Sequence, residues 1–242
     1  MRVAFILGNY PPEQRKIREE AAKSYEAPGL EVGVISIPFT PFEGITPAEM
    51  QQAAPYFHAA FCQAEDEGYD AAVPLGMLNL GVEGARSLVD IPVIAPFEAA
   101  LLVAAQLGDR SGIVCYTEEG IPKARMHARL YGLESKVGGY DTSGVVLHEM
   151  SDRKTQMIDT FLSAARRLID QQGVDVIIPG GITQCPVLMK PDWLSEQLGV
   201  PVVEGIGAPI RMAALLAGLG LKHSRKRWQK SASRPKYERG VG

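Results

Sequence analysis

The chain has 242 residues, of which 46% are apolar and 22% charged, and its formal net charge is −3. This length predicts one or two domains with a sizeable core, and the small negative charge argues against nucleic acid or a membrane as partner, leaving a small molecule. No apolar run reaches the roughly 18 residues of a membrane span, and the opening residues predict a strand rather than a signal peptide. Three scattered cysteines are typical of the reducing cytoplasm, and we expect no metal and no cofactor.

Strand and helix patterns alternate through the first half of the chain. Apolar runs predict strands at 2–7 and 31–37, and apolar side chains at helical spacing predict helices at 12–24 and 47–67. A strand then runs from Asp70 towards Gly76. A second short strand is predicted at 91–94, followed by an Ala/Leu-rich helix.

The second half repeats this plan. We predict a strand at 111–114, a helix at 118–131, a strand at 145–148, a helix at 155–171, a strand from Asp175 and a short strand at 200–203. Such alternation predicts an α/β fold with parallel sheets. From Lys222 onward the pattern stops, and basic residues followed by Ser, Pro and Gly predict a flexible tail.

Two copies of one pattern, Asp-x-x-x-Pro-x-Gly, indicate an internal duplication: DAAVPLG at 70–76 and DVIIPGG at 175–181. Pro and Gly mark the end of a buried parallel strand, and open parallel sheets bind ligands at the carboxyl ends of their strands. Gly76 and Gly181 are therefore expected where chemistry takes place. Glycine there either lets the backbone approach a ligand or serves only a tight turn.

Asn9, after the first strand, and three later segments carry a family resemblance: GMLNLGVEGAR at 76–86, DIPVIAPFEAA at 90–100 and LGVPVVEG at 198–205. Over residues 1–221 the chain resembles the aspartate/glutamate/hydantoin racemase superfamily, in its hydantoin racemase-like branch. The resemblance implies two pseudo-symmetric α/β lobes with parallel sheets and a ligand cleft between them. The lobes would comprise 1–97 with a returning helix at 208–222, and 98–207, followed by a basic flexible tail at 223–242.

The resemblance also implies a difference in chemistry. In the family a cysteine follows each of two central strands, and the two thiols transfer protons on opposite faces of a carbon acid. The matching positions here are Gly76 and Gly181, so both catalytic cysteines are expected to be absent, and a two-thiol racemase is not expected. Cys185 has two interpretations, as a thiol acidified near a helix start or as a buried residue without a chemical role.

Other residues at predicted strand ends complete the candidate site. Glu98, Tyr116 and Cys185 are the catalytic candidates, although Glu98 is equally explained as an acid favoured at a helix N-terminus. Amide, hydroxyl and backbone N–H groups predict a cradle for a carboxylate or imide. Its expected members are Asn9, Tyr10, Gly76, Met77, Asn79, Thr117, Gly181, Ile182 and Thr183.

Two functions stay open at this point. One is an enzyme that acts on a small carboxylate or cyclic amide without the two-cysteine mechanism, of lyase, decarboxylase, hydrolase or isomerase type. The alternative is a non-catalytic small-carboxylate-binding protein on the same fold. Ionisable groups at strand ends, namely Tyr10, Glu98, Tyr116 and Glu204, favour the enzyme. We expect a cytoplasmic homo-oligomer.

Overall fold

A computed structural model describes residues 1–39 and 46–235 and confirms the α/β fold. The strands are β1 (Arg2–Leu7), β2 (Glu31–Ser36), β3 (Ala71–Pro74), β4 (Ser111–Cys115), β5 (Val137–Thr142) and β6 (Val176–Pro179). The helices are α1 (Pro12–Lys23), α2 (Pro47–Asp66), α3 (Val82–Leu88), α4 (Pro96–Leu107), α5 (Gly120–Leu130), α6 (Lys154–Gln172), α7 (Pro191–Leu198) and α8 (Gly207–Gly218). None of the helices within the described ranges is long and apolar enough to cross a membrane.

The strands form two three-stranded parallel sheets with the same topology. β1 lies between β2 and β3, and β4 lies between β5 and β6. The registers correspond as well, since Ile6 pairs with Pro74 in one sheet and Val114 pairs with Pro179 in the other. This agreement confirms the two pseudo-symmetric lobes, and it puts Gly76 and Gly181 at matching positions just beyond their paired prolines.

The short strands predicted at 91–94 and 200–203 are each reduced to a single bridge. Val93 pairs with Ala72 and Val202 pairs with Ile177, in parallel in both cases. Two backbone hydrogen bonds flank each bridge, at 2.9 and 3.0 Å. α4 and α8 begin within a few residues of these bridges, so each segment leaves the sheet after one residue pair.

The aspartates that open the duplicated pattern have a structural role. Asp70 accepts a hydrogen bond from the backbone N–H of Arg2 at 2.7 Å. Asp175 accepts two, from the N–H groups of Asp109 and Arg110, at 2.8 and 2.9 Å. These backbone hydrogen bonds hold the pKa of Asp175 below its usual range. Each carboxylate therefore ties its own strand to the start of the central strand beside it.

The chain divides into two compact units, here called the first and second lobes. The first lobe comprises Met1–Leu75, Asn79–Ala95 and the chain from Pro209 onward. The second lobe comprises Gly76–Leu78 and Pro96–Ala208. The turn that carries Gly76 thus belongs to the second lobe, although the strand before it belongs to the first.

The sheet of the second lobe is covered on both faces, as parallel sheets require. Val176 and Ile178 of β6 pack into a cluster with Leu101 of α4. Ile177, between them, packs into a cluster with Phe161 of α6. All of these side chains are fully buried. Alternate residues of β6 therefore anchor opposite helix layers, which fixes the point where the strand ends.

The sequence prediction of a strand at 145–148 is wrong, because the partner of β4 is β5. Residues 147–149 form a single 3-10 turn instead. β5 contains Gly138 and Gly139, where a Cβ would lie 2.9 Å from a methyl of Val174 and 2.8 Å from a methyl of Leu168. These close contacts require glycine, and glycine weakens the strand signal in the sequence.

Residues 223–235 differ from the expected flexible tail, because they bond to the first lobe along their length. His223 accepts a hydrogen bond from the backbone N–H of Val93 through Nε2, at 2.8 Å. Further hydrogen bonds join Arg225 to the Val89 carbonyl, Trp228 to Glu83, Lys230 to Asp90, and Arg234 to the Cys62 carbonyl. Cationic side chains of this segment thus pair with acidic and carbonyl groups of the lobe. Residues 236–242 lie outside the described part.

Candidate active site at the strand ends of the second lobe

The candidate site lies where β4 and β6 end side by side. Cys115 is the last residue of β4, and Pro179 is the last residue of β6. Tyr116, which follows β4, therefore lies beside the loop of residues 180–183, which follows β6. Because the carboxyl ends of parallel strands meet at one edge, the predicted residues Tyr116, Gly181 and Thr183 come together here.

The Tyr116 side chain fills the space that a side chain at position 181 would occupy. A Cβ built on Gly181 would lie 2.5 Å from Cε1 of Tyr116 and closer still to the hydroxyl oxygen. The backbone N–H of Thr183 donates a hydrogen bond to that oxygen at 3.2 Å. The loop after β6 thus fixes the tyrosine hydroxyl directly over Gly181.

The loop of residues 180–183 was expected to offer its backbone N–H groups to an anion. Two of these four groups bond within the protein: Gly180 donates to the Val114 carbonyl at 2.8 Å, and Thr183 donates to Tyr116. Ile182 and Thr183 are buried. The backbone of this loop therefore holds the phenol oxygen of Tyr116 in place and does not offer all of its N–H groups to an anion.

Cys185 lies in the core of the second lobe. It is fully buried, in the same cluster as Met157 and Phe161 of α6. Burial, together with the charge of Glu204, raises the pKa of its thiol well above the usual range. These surroundings keep the thiol protonated, which favours the interpretation of Cys185 as a buried residue without a chemical role.

Cys115 is no better suited to proton transfer as a thiolate. Its side chain is buried at the end of β4, and burial raises its pKa to about 12. Among the residues that the structure describes, no group of three or more His, Cys, Asp or Glu side chains is placed to hold a metal ion. Burial of both thiols of this lobe favours a structural role, and a catalytic role of Cys185 stays a prediction.

Glu204 caps a helix. Its buried carboxylate accepts hydrogen bonds from the backbone N–H groups of Ile206 and Gly207, at 2.6 and 2.5 Å, where α8 begins. The neighbouring Gly205 packs against Met77, since a Cβ there would lie 3.2 Å from Cγ of Met77 and closer to its sulfur. The side chain of Met77, a predicted site residue, is thus buried against Gly205 and holds the turn after β3 in place.

Gly76, just before Met77, has a different environment from Gly181. Its φ is +85°, in the left-handed region that favours glycine, and among the described residues no atom beyond its chain neighbours lies within 4 Å of the position of a Cβ. The two glycines of the duplicated pattern are therefore unequal: the space beside Gly181 is filled by Tyr116, whereas the space beside Gly76 is open in the described structure.

Thr117 and Glu98 lie at the beginnings of helices in the second lobe. The Thr117 hydroxyl bonds to the carboxylate of Glu119 and lowers its pKa. Glu98 lies in the first turn of α4, where the helix dipole favours an acid. Both residues thus have structural explanations, and a role in binding or catalysis stays a prediction for each.

The remaining predicted residues belong to the first lobe. The Asn9 side chain donates a hydrogen bond to the Pro38 carbonyl at 2.9 Å. The Arg18 guanidinium lies 4.1 Å from the centroid of the Tyr10 ring. Asn79 is buried and has a φ of 55°. Their predicted contacts with a ligand stay predictions.

Sequence reasoning missed two buried polar residues beside Tyr116. Gln184 and Ser143 are 0% and 2% exposed, and Nε2 of Gln184 donates to the Ser143 hydroxyl at 3.0 Å. The only signal for Gln184 is its place in the loop after β6. Ser143 follows β5, which was predicted at the wrong residues, so its position beside β4 was not foreseen.

Comparisons with known proteins agree with this fold. A hydantoin racemase from Pseudomonas sp. (strain NS671) is 23% identical over 238 residues, which cover 98% of this chain and 94% of that protein. Allantoin racemase from Klebsiella pneumoniae has a TM-score of 0.88 at 21% identity and covers 99% of this chain and 97% of that one. A liganded arylmalonate decarboxylase variant, with one Gly→Cys and one Cys→Ser exchange, has a TM-score of 0.65 at 17% identity and covers 95% and 99%.

The profile of the Asp/Glu/Hydantoin racemase family matches residues 14–213. The chain therefore belongs to this family of two-lobed α/β proteins. Within it, the chain is similar along nearly its whole length to a hydantoin racemase, which supports the hydantoin racemase-like branch.

Proposed function

We propose that this protein is an enzyme that protonates a carbanion-like intermediate of a small carboxylate or cyclic amide from one face only. The observation that carries the proposal is the Tyr116 hydroxyl, which fills the space beside Gly181 where the resemblance puts a catalytic thiol. A phenol keeps its proton at neutral pH and donates it to a stronger base such as an enolate carbon. The Thr183 N–H then stabilises the negative charge left on the oxygen.

Racemisation requires a second proton-transfer group on the opposite face of the carbon. The resemblance puts that group at Gly76, which has no side chain and an open Cβ position. The thiols of Cys115 and Cys185 are buried with raised pKa values. One-sided chemistry is therefore favoured over the racemase reaction of the relatives.

Decarboxylation is the simplest reaction of this kind. The bond to a carboxylate breaks, carbon dioxide leaves, and the electron pair stays on the substrate as an enolate. Tyr116 gives its O–H proton to the carbon, and the phenolate regains a proton from solvent. The exchanges in the arylmalonate decarboxylase variant named above mean that the unmodified decarboxylase has glycine at one substituted position and cysteine at the other, and in this proposal the Tyr116 hydroxyl takes the place of that single thiol. We include cyclic amides among the proposed substrates because the chain is similar to hydantoin and allantoin racemases.

The test uses purified protein with three probes: an arylmalonate, a 5-substituted hydantoin and allantoin. We expect carbon dioxide release from the arylmalonate, no racemisation of the other two, and a loss of about 100-fold or more in kcat for Tyr116→Phe. Tyr140→Phe is the matched control, because the Tyr140 hydroxyl is buried and no group in the described part of the chain bonds to it. Turnover in Tyr116→Phe equal to wild type contradicts the proposal.

A non-catalytic binding protein gives a different result in the same experiment. It binds a probe by calorimetry, releases no product, and loses affinity by about 1–3 kcal/mol in Tyr116→Phe if the hydroxyl contacts the ligand. A cytoplasmic location and a homo-oligomeric state stay predictions.

A further inference from the structure

Two buried side chains bind the backbone carbonyls on either side of the Tyr116 α-carbon. The Ser143 hydroxyl donates to the Tyr116 carbonyl at 3.3 Å, and Nε2 of Gln184 donates to the Cys115 carbonyl, also at 3.3 Å. Gln184 also donates to the Ser143 hydroxyl, and the Ser143 backbone N–H donates to the Cys115 carbonyl at 3.0 Å. Both carbonyls at the end of β4 are thus bound by this pair.

The loop after β6 therefore holds Tyr116 at both ends. Thr183 bonds to the hydroxyl oxygen, and the next residue, Gln184, reaches the main chain of Tyr116 through Ser143. A hydroxyl has one hydrogen, so Ser143 can donate to the Tyr116 carbonyl while it accepts from Gln184. The chain of hydrogen bonds runs in one direction, from Gln184 to Ser143 to Tyr116.

The Gln184 amide has a feature that packing alone does not explain. Its Oε1 atom is buried, and no protein group in the described ranges donates to it. A methionine of similar volume would fill this position without burying an unsatisfied polar atom. A buried amide here is therefore better explained by the two bonds that Nε2 makes than by core stability.

We propose that Ser143 and Gln184 are positioning residues that set the location of the Tyr116 hydroxyl. This inference rests on the proposed function, in which Tyr116 donates the proton. Proton transfer depends steeply on distance, and a displacement of about 1 Å in a reacting group costs about 100-fold in rate. Loss of the Ser143 hydroxyl leaves the Tyr116 carbonyl without this donor, and loss of the Gln184 amide removes the group that orients that hydroxyl, so in either variant the ring is held less firmly over Gly181.

The activity test measures kcat and KM for Ser143→Ala and Gln184→Met on the probe that the wild type turns over. We expect kcat to fall about 10- to 100-fold with KM within about threefold, because the binding groups are unchanged. Ser111→Ala is the matched control, since Ser111 is also 2% exposed but begins β4 at its opposite end. In a Tyr116→Phe background the two substitutions should cause no further loss in kcat.

A spectroscopic test is independent of turnover. 3-Fluorotyrosine is incorporated, and the Tyr116 resonance is assigned by its absence in Tyr116→Phe. We expect this ¹⁹F resonance to shift or broaden in Ser143→Ala and Gln184→Met and to stay unchanged in Ser111→Ala. An unchanged resonance in both variants overturns the positioning role. A changed resonance in a protein whose turnover does not depend on Tyr116 overturns the proposed function and leaves the positioning intact.

Discussion

The Tyr116 hydroxyl lies where the side chain of a larger residue would start at Gly181. This relationship links a sequence feature, glycine at the end of the duplicated pattern, to a chemical one, a proton donor fixed over the strand end. Glycine at 181 is thus required by the tyrosine, not by its own backbone angles, since only Gly76 of the two has a positive φ. The two glycines look equivalent in the sequence, but each position requires glycine for a different reason.

Gly181→Ala should displace Tyr116. The added methyl group overlaps the ring and hydroxyl, so we expect the free energy of unfolding to fall by about 1–3 kcal/mol, together with a loss of turnover. Urea unfolding and steady-state kinetics measure the two effects. Gly218→Ala is the control: among the described residues its Cβ would meet only the end of Met1, at 3.4 Å, and it should not destabilise, because alanine is favoured over glycine in a helix such as α8.

Removing the ring tests the cause of that clash. In a Tyr116→Val background, Gly181→Ala should cost little further stability, because the overlapping atoms are gone. The double variant should regain stability relative to the sum of the single changes without regaining turnover. Strict additivity of the two stability changes would show that the clash is not with Tyr116.

The three thiols should be dispensable. Cys62, Cys115 and Cys185 are all buried, and burial raises the pKa of each. We expect the single alanine variants to keep turnover within about threefold, and iodoacetamide at pH 8 to modify native protein at least about tenfold more slowly than unfolded protein. Mass spectrometry follows the labelling. A loss of about 100-fold in Cys185→Ala with unchanged stability would restore this thiol as a catalytic group.

The segment of residues 223–235 should loosen in mild acid. Burial and the charges of Arg86 and Arg225 lower the pKa of His223 to about 4, from 6.5. The unfolded chain therefore binds the proton first, and stability is lost as pH falls from about 6.5 to 4. Trp228, whose ring lies 5.3 Å from His223, reports release by fluorescence in a Trp193→Phe background. His223→Gln should flatten this pH dependence, and an equal slope in both proteins contradicts the assignment.

Asp175→Asn should weaken the start of β4. The carboxylate accepts two backbone N–H groups and the amide oxygen is a poorer acceptor, so we expect a loss of about 1 kcal/mol at pH 7. The lowered pKa means that this stability is present above about pH 3.8 and is lost as pH falls further. Urea unfolding at pH 7 and pH 3 measures it. Asp70→Asn, which affects the single bond to the Arg2 N–H, should cost less.

Much of the fold could be predicted because its signals are local. Apolar runs and helical spacing identify β1, α1 and α6 to within a residue or two of their bounds. β5 was not predicted because its glycines are required by side chains from distant parts of the chain that pack over them. Local patterns do not contain such contacts.

The candidate site was predictable only in part for the same reason. The end of β4 marks Tyr116 as a strand-end hydroxyl, and the duplicated pattern marks Gly181. That the two share one space depends on the pairing of β4 with β6, which sequence periodicity does not specify. The structural role of Asp175 was missed because a carboxylate that binds backbone N–H groups has no local pattern of its own.

The stereochemistry of a decarboxylation in deuterium oxide tests the central claim most directly. A prochiral α-methyl-α-phenylmalonate gives a product whose new hydrogen reports the face of protonation. If Tyr116 delivers the proton from one side, chiral chromatography and mass spectrometry will find one enantiomer carrying a single deuterium at the α-carbon, and Tyr116→Phe will form it about 100-fold or more slowly. A racemic product, or the same enantiomer at the same rate from Tyr116→Phe, would contradict the account.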